Sequence, residues 1–318
     1  NGAVLSCGTS LYPYYNCLKA PHTSERTFHS IELINVGNIT IGASSGARNN
    51  ISYSENGVYS YNSTPTVSYT DFNLNQVGCF AEVSGSLLAV QNGFNSCEYG
   101  IQSKYDTYME VSDNSFEGTN YGVHISESNR TEFHIHNNSF HNSSAFAIQH
   151  LANNECVHEI YSNYILNETD SYAHGIEVIG LTPEQGGSIN SPVLIYSNEL
   201  YNTAYGIHVQ SMDEAQIYNN LHNEVMHTPE PEYTTYGILI EYCNKTLIQN
   251  NSVSSYGNSL QNTWWSNGIM ADNSPETQML CNSVGNIGRG LWIGGESPST
   301  VVAGNSMGNC YDQLYLNW

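Results

Sequence analysis

Gly206-Ile207-His208-Val209, followed by Gln216-Ile217-Tyr218 and Asn220, is one turn of a pattern that recurs along the chain. Within each short run apolar and polar residues alternate with period two, as in a half-buried strand, and Gly or Asn separates the runs. The Gly-apolar pair returns at Gly57-Val58, Gly78-Cys79, Gly100-Ile101, Gly122-Val123, Gly175-Ile176, Gly237-Ile238, Gly268-Ile269 and Gly290-Leu291, with Ala147-Ile148 filling one gap, at spacings of 21 to 31 residues. A second beat places Asn at 73, 92, 114, 138, 163, 198, 220, 251, 282 and 305, interleaved with the first without exception. Asn suits a turn beat because it tolerates left-handed backbone and its amide can bond neighbouring backbone. No stretch sustains a helical period. Coils of about 22 residues, repeated some ten times with two or three short strands each, predict an all-β fold, a parallel β-solenoid. The repeat occupies residues 28–318, and residues 1–27 are expected to cap the open strand edges. Extra residues predict loop insertions near 181–192, 225–235 and 254–265, the last two at one corner of consecutive coils.

Composition narrows the function classes. The 318 residues hold 7 Lys+Arg against 29 Asp+Glu, a formal net charge of −22. Nucleic-acid phosphates are bound by Lys and Arg that displace counterions, so nucleic acid is excluded as a partner. A polybasic grip on anionic lipid is excluded on the same ground. A polyuronate such as pectate or alginate meets the same repulsion unless cations bridge it. No apolar run approaches the roughly 18 to 20 residues that span a bilayer, so no membrane insertion is expected. The 39% hydrophobic content and 24 Tyr can build a core, which disordered chains cannot. The chain opens on Asn1 without a basic-then-apolar leader, as a mature product or an excised piece does. Its eight Cys show no C-x-x-C spacing, against zinc ribbons and thioredoxin-like motifs. Cys7 and Cys17 can close a small loop, which suggests an oxidising compartment.

The Gly-Ile-x-[Ile/Val] and Ile-x-Asn-Asn-x-[Phe/Leu] beats resemble the repeat of right-handed parallel β-helix proteins, a group that includes pectin-active enzymes, phage tailspikes and many secreted bacterial proteins. The closing stretch, Leu280-Cys281-Asn282-Ser283 through Arg289-Gly290-Leu291 to Val302-Ala303-Gly304-Asn305-Ser306-Met307, is similar to large secreted β-helix proteins of Bacteroidota, cargo of the type IX secretion system. That resemblance implies a secreted or cell-surface protein whose C-terminal sorting domain has been removed or lies outside these residues. Polygalacturonase-type hydrolases of this fold carry Asp-Asp, Gly-His-Gly and Arg-x-Lys segments, and this sequence has none of them. Pectate lyases need a basic residue and an acidic calcium cluster, whereas only Arg26, Arg48, Arg130 and Arg289 and seven Asp are present here. Two G-x-S-x-G matches, Gly42–Gly46 and Gly304–Gly308, stand at no strand-to-helix turn and make no nucleophile elbow.

Because a repeat fixes which residues stack, outward columns can be read directly from the sequence, with neighbours about 4.8 Å apart. Counting back from the Asn beat, three coils bring Glu110, His134, His136, Glu159 and Tyr161 onto one patch. This carboxylate–His–Tyr set is the candidate catalytic site, suited to acid/base chemistry or to a divalent ion, although as a solvated polar face it needs no function. No metal and no cofactor is expected, because nothing obliges these side chains to converge. The long loops carry Trp264, Trp265, Tyr233, Tyr256 and His227, a candidate ligand-binding set whose flat rings suit sugar stacking. An aromatic ladder (Tyr99, Tyr121, Phe146, His174, Tyr205, Tyr236) reads as structural. A third column runs Gln102, His124, Gln149, Glu177, His208, then Leu239, Met270 and Trp292. Its apolar end is expected to be buried, beneath a loop or against a neighbouring domain or second copy. The sequence therefore points to a secreted or cell-surface, non-catalytic structural and binding module for glycan or a partner protein, as in adhesion. The alternative is a carbohydrate-active enzyme, a polysaccharide lyase or glycoside hydrolase.

Overall fold

A computed structural model describes residues 3–6, 17–19, 27–42, 48–83, 85–105, 108–126, 132–151, 157–168, 173–180, 189–190, 192–223, 234–255 and 266–317. Every regular element among them is a strand. Apart from Ile189–Asn190 and Met212–Asp213, which pair with each other in a small two-stranded sheet, successive strands go in turn to three sheets of twelve strands each, and every neighbouring pair within a sheet is one coil apart in sequence. Sheet 1 runs from Ala3–Ser6 to Val301–Ala303, sheet 2 from Cys17–Lys19 to Ser306–Gly308, and sheet 3 from Thr27–Ile34 to Asp312–Asn317. All the pairings are parallel. The chain is thus a parallel β-solenoid, and its twelve coils include the roughly ten that the repeat predicts. Its first strands in sheets 1 and 2 fall within residues 1–27, where neither beat is present.

The Gly beat has a steric cause. Phe72, Phe94, Phe116 and Phe140 stack inside sheet 2, with ring centroids 5.0, 4.8 and 4.5 Å apart and planes within 8° of parallel. A Cβ on Gly57 would lie 2.6 Å from the Phe72 ring and 2.6 Å from the Gly78 carbonyl oxygen; one on Gly100 would meet Phe116 at 2.6 Å. Only a residue without a side chain lets sheet 3 approach that stack. Beyond Phe140 the same column continues as Ile165, Leu200, His222, Val253 and Val284. The rest of the core comes from inward columns such as Val111, Ile135, Ile160 and Ile195 of sheet 1, all buried. An inward residue is buried when a coil lies on either side of it. Leu291 and Ile293 are buried, whereas Leu314 and Leu316, which follow them in the same columns, are about half exposed.

The Asn beat is an amide ladder at the turn from sheet 1 to sheet 2. Asn114 donates through Nδ2 to the carbonyls of Ala89 and Ser112 at 2.8 and 3.0 Å and to Asn138 Oδ1 at 3.0 Å, while its own Oδ1 accepts from the Asn92 backbone N–H at 2.9 Å. The motif repeats through Asn138, Asn163, Asn198, Asn220, Asn251, Asn282 and Asn305. Two details differ from the sequence reading. Asn73 is not a rung: Thr70 occupies that position, its N–H donating to Asn92 Oδ1, while Asn73 stands on sheet 2 and accepts from Asn95. The left-handed residue is the one before each rung, as at Gln91, Asp113, Asn137 and Asn219, with φ of 55 to 57°. The ladder Asn is selected for its amide, which satisfies backbone groups that the turn would otherwise orphan.

Candidate functional site

The outer face of sheet 1 brings the candidate catalytic residues together in the predicted register: Glu110 beside His134, His134 beside Glu159, and His136 beside Tyr161. His134 Nδ1 lies 3.1 Å from Glu159 Oε2, and its Nε2 lies 3.0 Å from Glu132 Oε1. Asn137 Nδ2 donates to His136 Nδ1 at 3.1 Å, which leaves His136 Nε2 facing Glu110 Oε1 at 3.8 Å. Tyr108 donates its hydroxyl proton to Glu110 Oε2 at 3.1 Å. Glu132 and Tyr108 complete the cluster. Neither falls in the two columns counted back from the Asn beat, so the sequence reading missed both. Ser112, which stands in the same column as His136 one coil earlier, is buried beside that much larger ring.

From His136 a row of rings runs along the axis. The His136 ring stacks on Tyr161 at 4.7 Å, Tyr161 on Tyr196 at 4.9 Å and Tyr196 on Tyr218 at 5.0 Å, with planes 3 to 7° apart. Rings stacked face to face along the axis turn their edges and hydroxyls outward. Burial and the Glu159 carboxylate push the hydroxyls of Tyr161 and Tyr196 up, so both remain protonated donors.

The outer face of sheet 3 carries a hydrogen-bonded chain across successive coils. His124 Nδ1 lies 2.9 Å from Gln149 Oε1, and Gln149 Nε2 donates to Glu177 Oε2 at 2.6 Å. His208 then bridges two carboxylates, Nδ1 to Glu177 Oε1 at 3.2 Å and Nε2 to Glu241 Oε2 at 3.0 Å. Burial alone would lower the pKa of His208, but hydrogen bonds to Glu177 and Glu241 outweigh it and carry the ring to about 9. Burial likewise opposes the charge on Glu177, and the bonds from His208 and Gln149 hold its carboxyl below the ordinary value all the same. His124 and His174 are lowered by burial. The aromatic ladder from Tyr99 to Tyr236 flanks this column with every ring against the next, stacked at Tyr99–Tyr121, Tyr121–Phe146 and His174–Tyr205 and tilted at Phe146–His174 and Tyr205–Tyr236. Further along, Leu239 and Met270 are buried within the single chain and Trp292 is half-buried. Those two leucine and methionine side chains are therefore not open to a second copy.

Trp264, Trp265, Tyr233, Tyr256 and His227 lie outside the described residues, as does the pairing of Cys7 with Cys17. Among the described residues Cys79, Cys243, Cys281 and Cys310 are free thiols. Among the described residues no helix is long and apolar enough to cross a membrane, and no three His, Cys, Asp or Glu side chains are grouped to hold a metal ion.

Residues 20–177 match the family described as periplasmic copper-binding protein (NosD). No curated protein sequence matches the chain. In structure the chain is similar to the lacto-N-biosidase of Eubacterium ramulus, with a TM-score of 0.50 at 11% identity, covering 90% of this chain and 59% of that one. It is also similar to the A-module of a mannuronan C-5 epimerase from Azotobacter vinelandii, with a TM-score of 0.48 at 11% identity over 85% and 83% of the two chains. Tailspike protein 3 of bacteriophage CBA120 gives a TM-score of 0.45 at 11% identity over 90% and 50%. The sheets, the register and the likeness to the lacto-N-biosidase fold agree: this chain is a parallel β-helix protein, similar over residues 20–177 to the NosD family.

Proposed function

We propose that the chain is a non-catalytic, secreted or cell-surface module that binds an extended neutral glycan along the outer face of sheet 1. The observation that carries this reading is the row of Tyr161, Tyr196 and Tyr218, whose rings repeat at 4.9 to 5.0 Å beside Glu159, Leu194 and Gln216 of the neighbouring column. A rigid, evenly spaced line of donors and acceptors suits a polymer whose hydroxyls also recur evenly. The ligand's hydroxyls would bond to ring edges and carboxylates rather than pack on ring faces. A polyuronate fits poorly, given the net charge of −22. Of the few basic residues, Arg48 is bonded to Asp71 at 2.7 Å and Arg289 lies between the rings of Trp292 and Tyr315.

The enzyme alternative rests on the convergence of Glu110, His134, His136, Glu159 and Tyr161. Against it, both nitrogens of each histidine already face partners, Asn137 for His136 Nδ1 and carboxylates for the other three, so neither ring stands ready to take a proton from a substrate. The described residues do not fit a copper ion either. Among them no three His, Cys, Asp or Glu side chains are grouped to hold an ion, and the Nδ1 atoms of His150 and His158, 2.8 Å apart in the core, are taken up by the hydrogen bond they share.

The test is the variant Tyr161→Phe/Tyr196→Phe/Tyr218→Phe, which keeps the stack and removes only the hydroxyls. On a glycan array followed by calorimetry, the parent is expected to bind a neutral polysaccharide and the variant to lose at least about tenfold in affinity. Equal affinity of the two proteins, or release of reducing sugar by the parent, would overturn the reading.

A further inference from the structure

At the N-terminal end of sheet 3, two coils from the nearest part of the histidine column, the outer face opens into a groove of about 580 Å³. That lies within the range of small-molecule sites, on the order of 300 to 1,000 Å³. Its lining is of two kinds. Three carboxylates, Glu32, Glu55 and Glu82, face it, with no Lys or Arg among the described residues that line it. Its walls are the rings of Tyr59, Tyr61, Phe80 and His29.

The walls are held in place from behind. His29 stacks on Tyr59 at 4.5 Å with planes 10° apart, and Asn56 Nδ2 approaches His29 Nδ1 at 3.0 Å. Phe80 is tilted 59° against Tyr59 at 5.6 Å, so the two rings form a corner. The Tyr59 hydroxyl donates to Glu82 Oε2 at 2.9 Å, which ties one wall to one carboxylate. Burial, together with that carboxylate, pushes the hydroxyl up to about 12 and keeps it a donor. At the rim, Tyr61 is 38% exposed. The nearest basic residue along the column, Lys104, stands one coil beyond Glu82 and outside the lining.

We propose that this groove is a binding site for a small organic ammonium ion, its alkylated head against Tyr59, Tyr61 and Phe80 and its charge facing Glu32, Glu55 and Glu82. The lining holds three carboxylates against a single histidine, His29, whose Nε2 lies 4.0 Å from Glu32 Oε1, and this excess of acid favours a cation over a neutral or anionic ligand. An inorganic cation would leave the aromatic walls unused. A cation with an apolar shell uses both, through the ring quadrupoles and the carboxylate field. The site is separate from the tyrosine row of sheet 1 and stands whether or not that row binds glycan.

The probe is choline, compared by calorimetry and by tyrosine fluorescence with its uncharged isostere 3,3-dimethyl-1-butanol. Choline is expected to bind and the isostere not to. Glu32→Gln/Glu55→Gln, with unchanged circular dichroism and thermal midpoint, is expected to weaken choline by about tenfold. Tyr61→Leu, a change at the rim that leaves the Tyr59–Glu82 bond in place, is expected to weaken it by a similar factor. Equal binding of choline and its isostere, no binding of choline, or parent-like affinity in both folded variants would overturn the proposal. Each readout is independent of the glycan experiment.

Discussion

At Asn138 a single side chain closes five hydrogen-bonding groups, four in the coils on either side and one in its own. Its Nδ2 donates to the Val111 and His136 carbonyls at 2.9 Å each and to Asn163 Oδ1 at 3.0 Å, and its Oδ1 accepts from the backbone N–H and the Nδ2 of Asn114. All of these groups are shielded from water, and leaving buried donors and acceptors unmade costs about 1 to 3 kcal/mol. Asn138→Ala is therefore expected to destabilise the fold by about 2 to 3 kcal/mol. Asn73→Ala, outside the ladder and only half-buried, should change stability by less than about 0.5 kcal/mol. Urea denaturation of the two variants checks the difference, and equal losses would mean that the ladder is not what holds this turn. The left-handed residues before each rung fit the same account. Backbone conformations that most side chains disfavour are kept at Gln91 and Asp113 because the next residue satisfies the turn.

At the scale of the strand, the fit between the Gly beat of sheet 3 and the inward column of sheet 2 makes a sharper prediction. Gly100→Ala puts a methyl 2.6 Å from the Phe116 ring and 2.7 Å from the Gly122 carbonyl oxygen, whereas Gly37→Ala meets nothing within 4 Å. Overpacking of this kind costs about 1 to 3 kcal/mol, and the Gly37 change should be close to neutral. Phe116→Leu in the Gly100→Ala background should recover part of the loss, a coupling that a double-mutant cycle on thermal midpoints would measure. Strand-level features were also the most legible in the sequence. Once a repeat sets the register, Glu110, His134 and Glu159 must be neighbours, and so must Tyr161, Tyr196 and Tyr218. What the sequence hid depends on geometry that the period does not carry. The groove is built partly from His29, Glu32 and Glu55 in the first coils, where the beats are faint. Glu132 and Tyr108 lie in a column that the count from the Asn beat did not follow. His150 and His158 belong to different sheets and meet only because the coil closes on itself.

For the whole molecule, that interior pair and the outer histidine bridge set opposite limits on pH. The His150 and His158 Nδ1 atoms share one hydrogen bond at 2.8 Å, and the Phe133 ring packs against both histidines. One nitrogen donates and the other accepts, so a further proton would break the bond and bury a charge in the core. Burial lowers His150 well below its ordinary 6.5, takes His158 to about 3, and takes His222, inside sheet 2, to about 4. In each case the unfolded chain takes up the proton first as pH falls. The stability these groups lend is complete above pH 6.5 and is lost as pH drops toward 3 to 4. His208 works the other way. Raised to about 9 between Glu177 and Glu241, it contributes fully below pH 6.5 and loses that contribution as pH rises through 9. Stability should therefore peak near pH 6.5, between the two limbs. His208→Gln, which can still donate to a carboxylate, is expected to flatten the alkaline limb only. His150→Leu/His158→Leu is expected to flatten the acid limb only, although the carboxylates paired elsewhere in the chain will keep some slope there. The measurement is the urea midpoint of the three proteins from pH 4 to pH 10. Parallel curves for all three would show that neither histidine set governs how the solenoid responds to pH.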